Sequence, residues 1–327
     1  VIKASQHPHA PHQPYTLRQP AFAGGLAILA GIAALLLVDN YPTIALLLTA
    51  IAAIAGFTAL TTLANDDGPA AVVLTPALFA LLVLFMWESL TRGFAVPMIL
   101  LPPPSAIGAA FWDALPDLVQ DVEQTVLFAA IPGFLAGTAL GFAAAIAVDR
   151  SPFLQQGLLP LSNFASVIPI VGVAPIMIMW FGFDWQSKAA VVVLITFFPA
   201  FVNMIAGLQQ ASNIERDLMA SYAATYRQTM WKLRLPAALP FLFAALKINA
   251  SLSLIGAIVA EFFGTPVHGI GFRISVEIGH LALDHVWAAI LVAALVGSLS
   301  YAVLALAESA ATFWHPSQLT GRTRPKP

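Results

Sequence analysis

Few side chains in this sequence are equipped for chemistry. The stretch "GHLALDH" (279–285) gathers His280, Asp284 and His285. His280 and Asp284 lie one helical turn apart, a spacing at which two metal ligands share a face. The alternative is a polar turn leading into an apolar stretch. Glu261 is the one further acid in reach, and nothing else converges on these groups. His7, His9 and His12 near the start are separated by prolines, which do not hold ligand geometry well. No metal site is expected. The chain has no cysteine, which excludes disulfides, thiolate metal sites and cysteine nucleophiles. It also lacks the G-x-x-x-x-G-K-S/T run that cradles nucleotide phosphates.

A second set of candidates consists of polar residues inside otherwise apolar stretches: Asn163 and Ser166, Asn203, and Asn249, Ser251 and Ser253. Asn249 and Ser253 share a helix face. Such groups either line a path for a polar solute or hydrogen-bond neighbouring helices, and the second role is the commoner. Trp180 stands near the end of an apolar run, where tryptophan anchors a helix at the headgroups. Lys247 can extend its amine from the end of its stretch towards water.

A third set is concentrated in "ASYAATYRQTMWKLRLPAALP" (220–240), with Arg227, Lys232 and Arg234 among only 14 basic residues. Together with the preceding "GLQQASNIERDLM", this passage reads as two short helices with a bend near Ala220–Ala224. Arg216, Asp217, Arg227 and Lys232 would be exposed there. Leu218, Tyr222, Tyr226, Met230 and Trp231 supply apolar grip. Two uses remain open: docking of a partner, or a loop whose rings sit among lipid headgroups.

These residues must be positioned by membrane helices. Of 327 residues, 59% are hydrophobic and 9% charged, whereas a soluble domain carries about 25% charged residues. The net charge of −2 argues against nucleic acid as a partner. Stretches of near-spanning length, about 20 residues, occur at 22–38, 44–63, 71–90, 124–148, 158–181, 188–207, 239–262 and 286–310. The expected fold is therefore an all-α membrane protein, a polytopic helical bundle of about eight spans. Residues 1–21 read as a disordered tail, 22–63 as an added hairpin, 64–312 as the core and 313–327 as a second tail. Between the hairpin and the core, "NDDGP" (65–69) is a turn. Residues "SAIGAAFWDALPDLV" (105–119) suit an amphipathic piece at the interface. Pro132, Pro169, Pro175 and Pro199 should kink their helices. With the N-terminus inside, ten Lys and Arg fall in inside segments and Arg92, Lys188 and Arg273 in outside ones, so both termini should be cytoplasmic.

The passage 217–236 resembles the "EAA" loop of permease subunits in ATP-binding-cassette importers, which reads E-A-A, three residues, G, nine residues, I-x-L-P. Anchored on Leu235 and Pro236, the match puts Leu233 at the I, Ala223 at the G and Asp217 at the E. Leu218 and Met219 replace the two alanines. Alanine at 223 counts against a left-handed turn there, which glycine adopts freely. Four further segments are similar to the nitrate/sulfonate/taurine branch: "ILLPPPSAI" (99–107), "IMIMWFGF" (176–183), "FFPAFVNMIAGL" (197–208) and "GAIVAEFFGTPVHGIGFRI" (256–274). The loop itself is nearest to members that import thiamine-precursor pyrimidines or riboflavin.

The resemblance implies a six-span importer core with the 22–63 hairpin as an addition, sitting in the inner membrane of a bacterial cell. It implies a second permease subunit, with a homodimer expected, as well as ATPase subunits and an extracytoplasmic binding protein that delivers a small organic solute. It also implies that this chain binds no cofactor, ATP and Mg belonging to the ATPase subunits, and that it is not itself an enzyme. Asp217, Ala220, Ser221, Tyr222, Ala223, Tyr226 and Arg227 are the expected ATPase contacts. Asn163, Ser166, Asn203, Asn249 and Ser253 are the path candidates, and Glu261 is expected to be structural. The rival readings are an ion-coupled secondary transporter and an intramembrane enzyme.

Overall fold

A computed structural model describes residues 18–65, 68–151, 153, 154, 156, 157, 160, 169–264 and 267–313. The tails through residue 17 and from 314, with their histidines and terminal basic residues, lie outside the described residues, as do Asn163 and Ser166. Described residues up to Gly108 form one compact unit and those from Ala109 a second.

In the first unit, α1 (Arg18–Leu37) and α2 (Pro42–Ala64) form a hairpin. Pro42 starts α2, where its missing N–H costs no helix bond. The seam is made of small side chains: Ala30 and Ala34 on α1, Val38 just after it, and Ala45, Thr49, Ala52 and Ala55 on α2, are buried. Leu29, Leu36, Leu47, Ile54 and Phe57 face outward, as lipid-facing residues do. The third helix, α3 (Pro69–Gly93), also belongs to this unit. Arg92 in its last turn pairs with Asp39 of the α1–α2 turn and with Glu88. Glu88 also accepts the Ser105 amide and hydroxyl at 2.9 and 2.7 Å.

Helix α4 (Pro104–Asp113) runs across the boundary between the units. Next, α5 (Leu115–Glu123), a wide π segment (Gln124–Ala130) and α6 (Ile131–Val148) make one continuous 34-residue helix. Residues 115–123 are therefore the first turns of a helix long and apolar enough to cross a membrane, not a separate piece continuous with α4. Pro116 in the first turn and Asp117 beside the helix N-terminus favour that start. After α7 (Ile170–Phe181) and α8 (Trp185–Leu208) come α9 (Asn213–Ser221) and α10 (Tyr226–Thr229). A second π segment (Met230–Arg234) joins α10 to α11 (Leu235–Phe263), again as one helix, now of 38 residues. Last are α12 (Ile270–Gly279) and α13 (Leu283–Ala311). Among the described residues six helices are long and apolar enough to cross a membrane, while Ala23–Leu37 and Ile170–Phe181 are shorter apolar helices.

The prolines act in two ways. Each π segment ends just before one, Pro132 or Pro236. A proline has no N–H to give and its ring crowds the preceding turn, so a wider turn relieves both problems. Pro169, expected inside a helix, instead lies extended at the head of α7. Pro175 and Pro199 do sit inside helices.

The core of the second unit is α6 against α8 and α11. Gly133, Gly137 and Gly141 repeat at four-residue spacing on the α6 face towards α8. A Cβ at Gly137 would overlap the Thr196 hydroxyl and the Val193 backbone. Without a hydrophobic force between helices in lipid, such close backbone approach supplies the packing. Asn249 of α11 completes the junction, its amide donating to Thr138 Oγ1 at 2.9 Å and to the Thr196 carbonyl at 2.8 Å.

Candidate functional site

The segment between α8 and α11 is built by local chemistry. Ser212 caps α9: the Glu215 amide donates to its hydroxyl at 3.3 Å, and the Ser212 amide donates to the Glu215 carboxylate at 2.8 Å. The Ser212 amide, and its hydroxyl at 2.9 Å, hold the Glu215 carboxyl below its ordinary pKa. Thr225 and Gln228 repeat the same reciprocal cap at the start of α10. Between the two helices, Ala223 stands in the left-handed region at φ 52°. The Ala224 amide reaches back to the Met219 carbonyl at 3.0 Å and the Ala223 amide to Ala220 at 2.9 Å. This is a helix stop that usually uses glycine. The left-handed turn forms with alanine all the same, at a cost of about 1 kcal/mol, against the expectation drawn from residue type.

No residue of α9 is buried. Ile214, Leu218 and Tyr222, each one turn beyond the last, are 82%, 55% and 76% exposed, and this spacing puts them on one face. Asp217, Ala220, Ser221, Ala223 and Arg227 are exposed around that strip. Ile214 was not among the sequence candidates, although its spacing from Leu218 and Tyr222 was legible.

Tyr226 turns the other way. Its hydroxyl donates to Asp149 Oδ2 at 2.7 Å, and Arg150 lies over its ring at 4.3 Å from the centroid. Asp149 follows directly after α6. Arg234 grips the same carboxylate with two bonds of 2.5 and 2.6 Å, and its Nε donates to the Leu208 carbonyl at the end of α8 at 3.0 Å. Burial alone would push the Asp149 carboxyl up; the donations from Arg234 and Tyr226 outweigh it and hold the group below its usual value. Sequence reasoning missed Asp149. Its signal was a lone acid in "AVDR" where a long apolar run ends.

The opposite end of the same helices carries a second polar cluster. Glu261 is 2% exposed. Its Oε2 accepts from Thr125 Oγ1 at 2.8 Å and from the Gly271 amide at 3.0 Å. Thr125 in turn accepts the Ile270 amide at 2.9 Å. Asp121, fully buried, accepts the Gly269 amide at 2.8 Å and Arg273 Nε at 2.7 Å. Three consecutive amides at the head of α12 are thus met by buried side chains. Gly269, at φ 138°, brings its backbone so close to the Glu261 carboxylate that a Cβ would meet it at 2.7 Å. Lys188 caps the turn before α8 through the Phe183 and Asp184 carbonyls.

Among the remaining candidates, Asn249 is wholly buried between three helices, and Ser253 donates to the Ala250 carbonyl at 2.9 Å within α11. Asn203, half-buried, donates to the Pro199 carbonyl at 2.8 Å. Lys247 pairs with Glu308 at 2.6 Å. His280 approaches Glu277 at 3.7 Å. Among the described residues no group of three or more His, Cys, Asp or Glu is placed to hold a metal ion.

Comparison with known proteins identifies the family. The family model for the binding-protein-dependent transport system inner membrane component matches residues 137–312. The chain is 30% identical over 241 residues to the riboflavin transport system permease protein RibX of Chloroflexus aurantiacus, covering 72% of this chain and 88% of that protein. It is 29% identical over 253 residues to the formylaminopyrimidine transport permease protein ThiX of Halalkalibacterium halodurans, covering 75% and 97%. With the putative aliphatic sulfonates transport permease protein SsuC of Bacillus subtilis it shares 27% over 237 residues, covering 72% and 85%. A multi-pass helical chain matched across its glycine-packed core, it belongs to the binding-protein-dependent transport system inner membrane component family, as an ABC importer permease of the nitrate/sulfonate/taurine branch.

Proposed function

We propose that the chain forms the translocation path for a small organic solute handed over by an extracytoplasmic binding protein, and that α9 and its left-handed turn dock on ATPase subunits that drive transport. The permease performs no bond chemistry. ATP and Mg act on the partner, and a second permease subunit, here a second copy of the chain, completes the path. The solute is a pyrimidine vitamin precursor, riboflavin or a sulfonate, the classes named for the relatives. In this reading both termini and the α9 segment are cytoplasmic, which the excess of Lys and Arg on that side supports.

One observation carries this reading. Ile214, Leu218 and Tyr222 form an exposed apolar strip on a capped helix outside the spanning segments, rimmed by Asp217 and Arg227. An apolar ridge with charges at its edge suits a groove on a partner, the ridge giving affinity and the charges register. Tyr222 is the anchor, because large aromatic side chains dominate such contacts. The test is reconstitution with the partner subunits and binding protein. Tyr222→Ala should leave ATP hydrolysis but lower uptake at least tenfold. Unchanged solute-dependent uptake in that variant refutes the proposal. Screening the partner binding protein against vitamins, pyrimidines and sulfonates identifies the solute.

A further inference from the structure

We infer that Asp149, Arg234 and the Tyr226 hydroxyl form a transmission latch, which passes movement of the α9–α10 segment to α6 and α8 as well as to α11. The inference rests on the docking role proposed for α9.

Tyr226 begins the 38-residue helix that becomes α11, so displacement of the turn at Ala223 enters that helix first. Between Tyr226 and the spanning part lies the π segment Met230–Arg234, followed by Pro236. A wide turn beside a proline lacks regular helix bonds and is the compliant part of the helix. Left alone, it would absorb the displacement. The latch bridges this weak point. Arg234 sits at its end and Tyr226 before its start, and both hold the same carboxylate. That carboxylate belongs to the residue just after α6, while the third arginine bond holds the last carbonyl of α8. One guanidinium thus joins the ends of three long helices. Its planar fork fits two carboxylate oxygens and a carbonyl together, which a lysine cannot match. Asp149 and Arg234 are mostly buried, their side chains 5% and 13% exposed, so water competes little for the bonds. Neither lies on the exposed strip of α9. They are positioning residues, not docking contacts.

The experiment uses the full complex with its ATPase and binding protein in proteoliposomes, and reads the ratio of solute taken up to ATP hydrolysed. Asp149→Asn and Arg234→Gln should assemble with the ATPase and hydrolyse ATP, with the ratio falling at least fivefold. Arg234→Lys, which keeps one ionic contact, should fall between these variants and wild type. A merely structural role would lower yield or assembly without changing the ratio of the complexes recovered. An unchanged ratio in both Asp149→Asn and Arg234→Gln overturns the latch, as does failure of Asp149→Asn and Arg234→Lys alike to assemble. Tyr222→Ala separates the two readings. If Tyr222→Ala uncouples and Asp149→Asn does not, the latch alone fails. If Tyr222→Ala is also silent, the docking role fails.

Discussion

The two ends of the α5–α6 helix are built on different principles. At one end Asp121, Thr125 and Glu261 accept backbone amides of Gly269, Ile270 and Gly271, with Asp121 taking Arg273 Nε besides. At the other, roughly 40 Å away at 1.5 Å per residue, Asp149 accepts long side chains from Arg234 and Tyr226. An amide cannot swing away from its helix, so the first arrangement is a fixed clamp on α12. Arginine and tyrosine side chains can follow a moving partner, so the second behaves as a joint. Between them Asn249 and Thr138 tie α11 to α6. The antiparallel helices are bonded at three levels, and only at the first do buried side chains also hold consecutive backbone amides of a further helix. This difference suits the importer role proposed above, with one end of the helix held rigidly and the other able to respond.

Removing the clamp should do the most damage. Glu261→Ala strips the Gly271 amide and the Thr125 hydroxyl of their acceptor in a buried site. At about 1–3 kcal/mol for each orphaned group, thermal unfolding of the detergent-purified chain should drop by several degrees. An unchanged midpoint would mean that the clamp is not fixed.

The joint should cost less and show a pH signature. Asp149→Asn should destabilise by roughly 1–2 kcal/mol. The folded carboxyl lies below its ordinary value of 3.8, so the ionised form supplies the extra stability. That contribution is complete above the unfolded value and is lost as pH falls through the folded one. The gap in unfolding midpoint between wild type and Asp149→Asn should stay constant from about pH 8 to pH 5 and narrow below about pH 4. A gap that already changes between pH 6 and 8 would exclude Asp149 as its source.

Least costly is the cap on the moving side. Thr225→Ala removes the Gln228 amide's acceptor and should destabilise the helix start by about 1 kcal/mol, seen as faster amide exchange over Tyr226–Thr229 with little change in the α12 clamp. Equal exchange changes at both ends would erase the distinction between them.

Much of this was legible in the sequence, and the residues that were not share a physical cause. The apolar runs marked the helices, and "LRLP" with its upstream acid marked out the α9–α10 segment. Two capping boxes, Ser212 with Glu215 and Thr225 with Gln228, were readable by spacing alone yet went unused. Residue type misled at Ala223, because two amide bonds back into the last turn of α9 and the following cap hold alanine in a conformation that composition assigns to glycine. Helix starts at Leu115 and Tyr226 were placed too late, since polar first turns do not register as apolar. The pairings of Asp121, Asp149 and Arg234 were invisible for another reason. Their roles depend on partners up to 152 positions away, and no local pattern announces such a pairing.

The most direct test of the central claim uses the chain's lack of cysteine. Single variants Tyr222→Cys on the α9 strip and His280→Cys beyond α12 can each be treated with a short thiol cross-linker in the assembled complex. The expected result is a cross-link to the ATPase subunit from residue 222 that varies with nucleotide state, and none from residue 280. A cross-link to the ATPase from residue 280, or none from 222 in any nucleotide state, would contradict it.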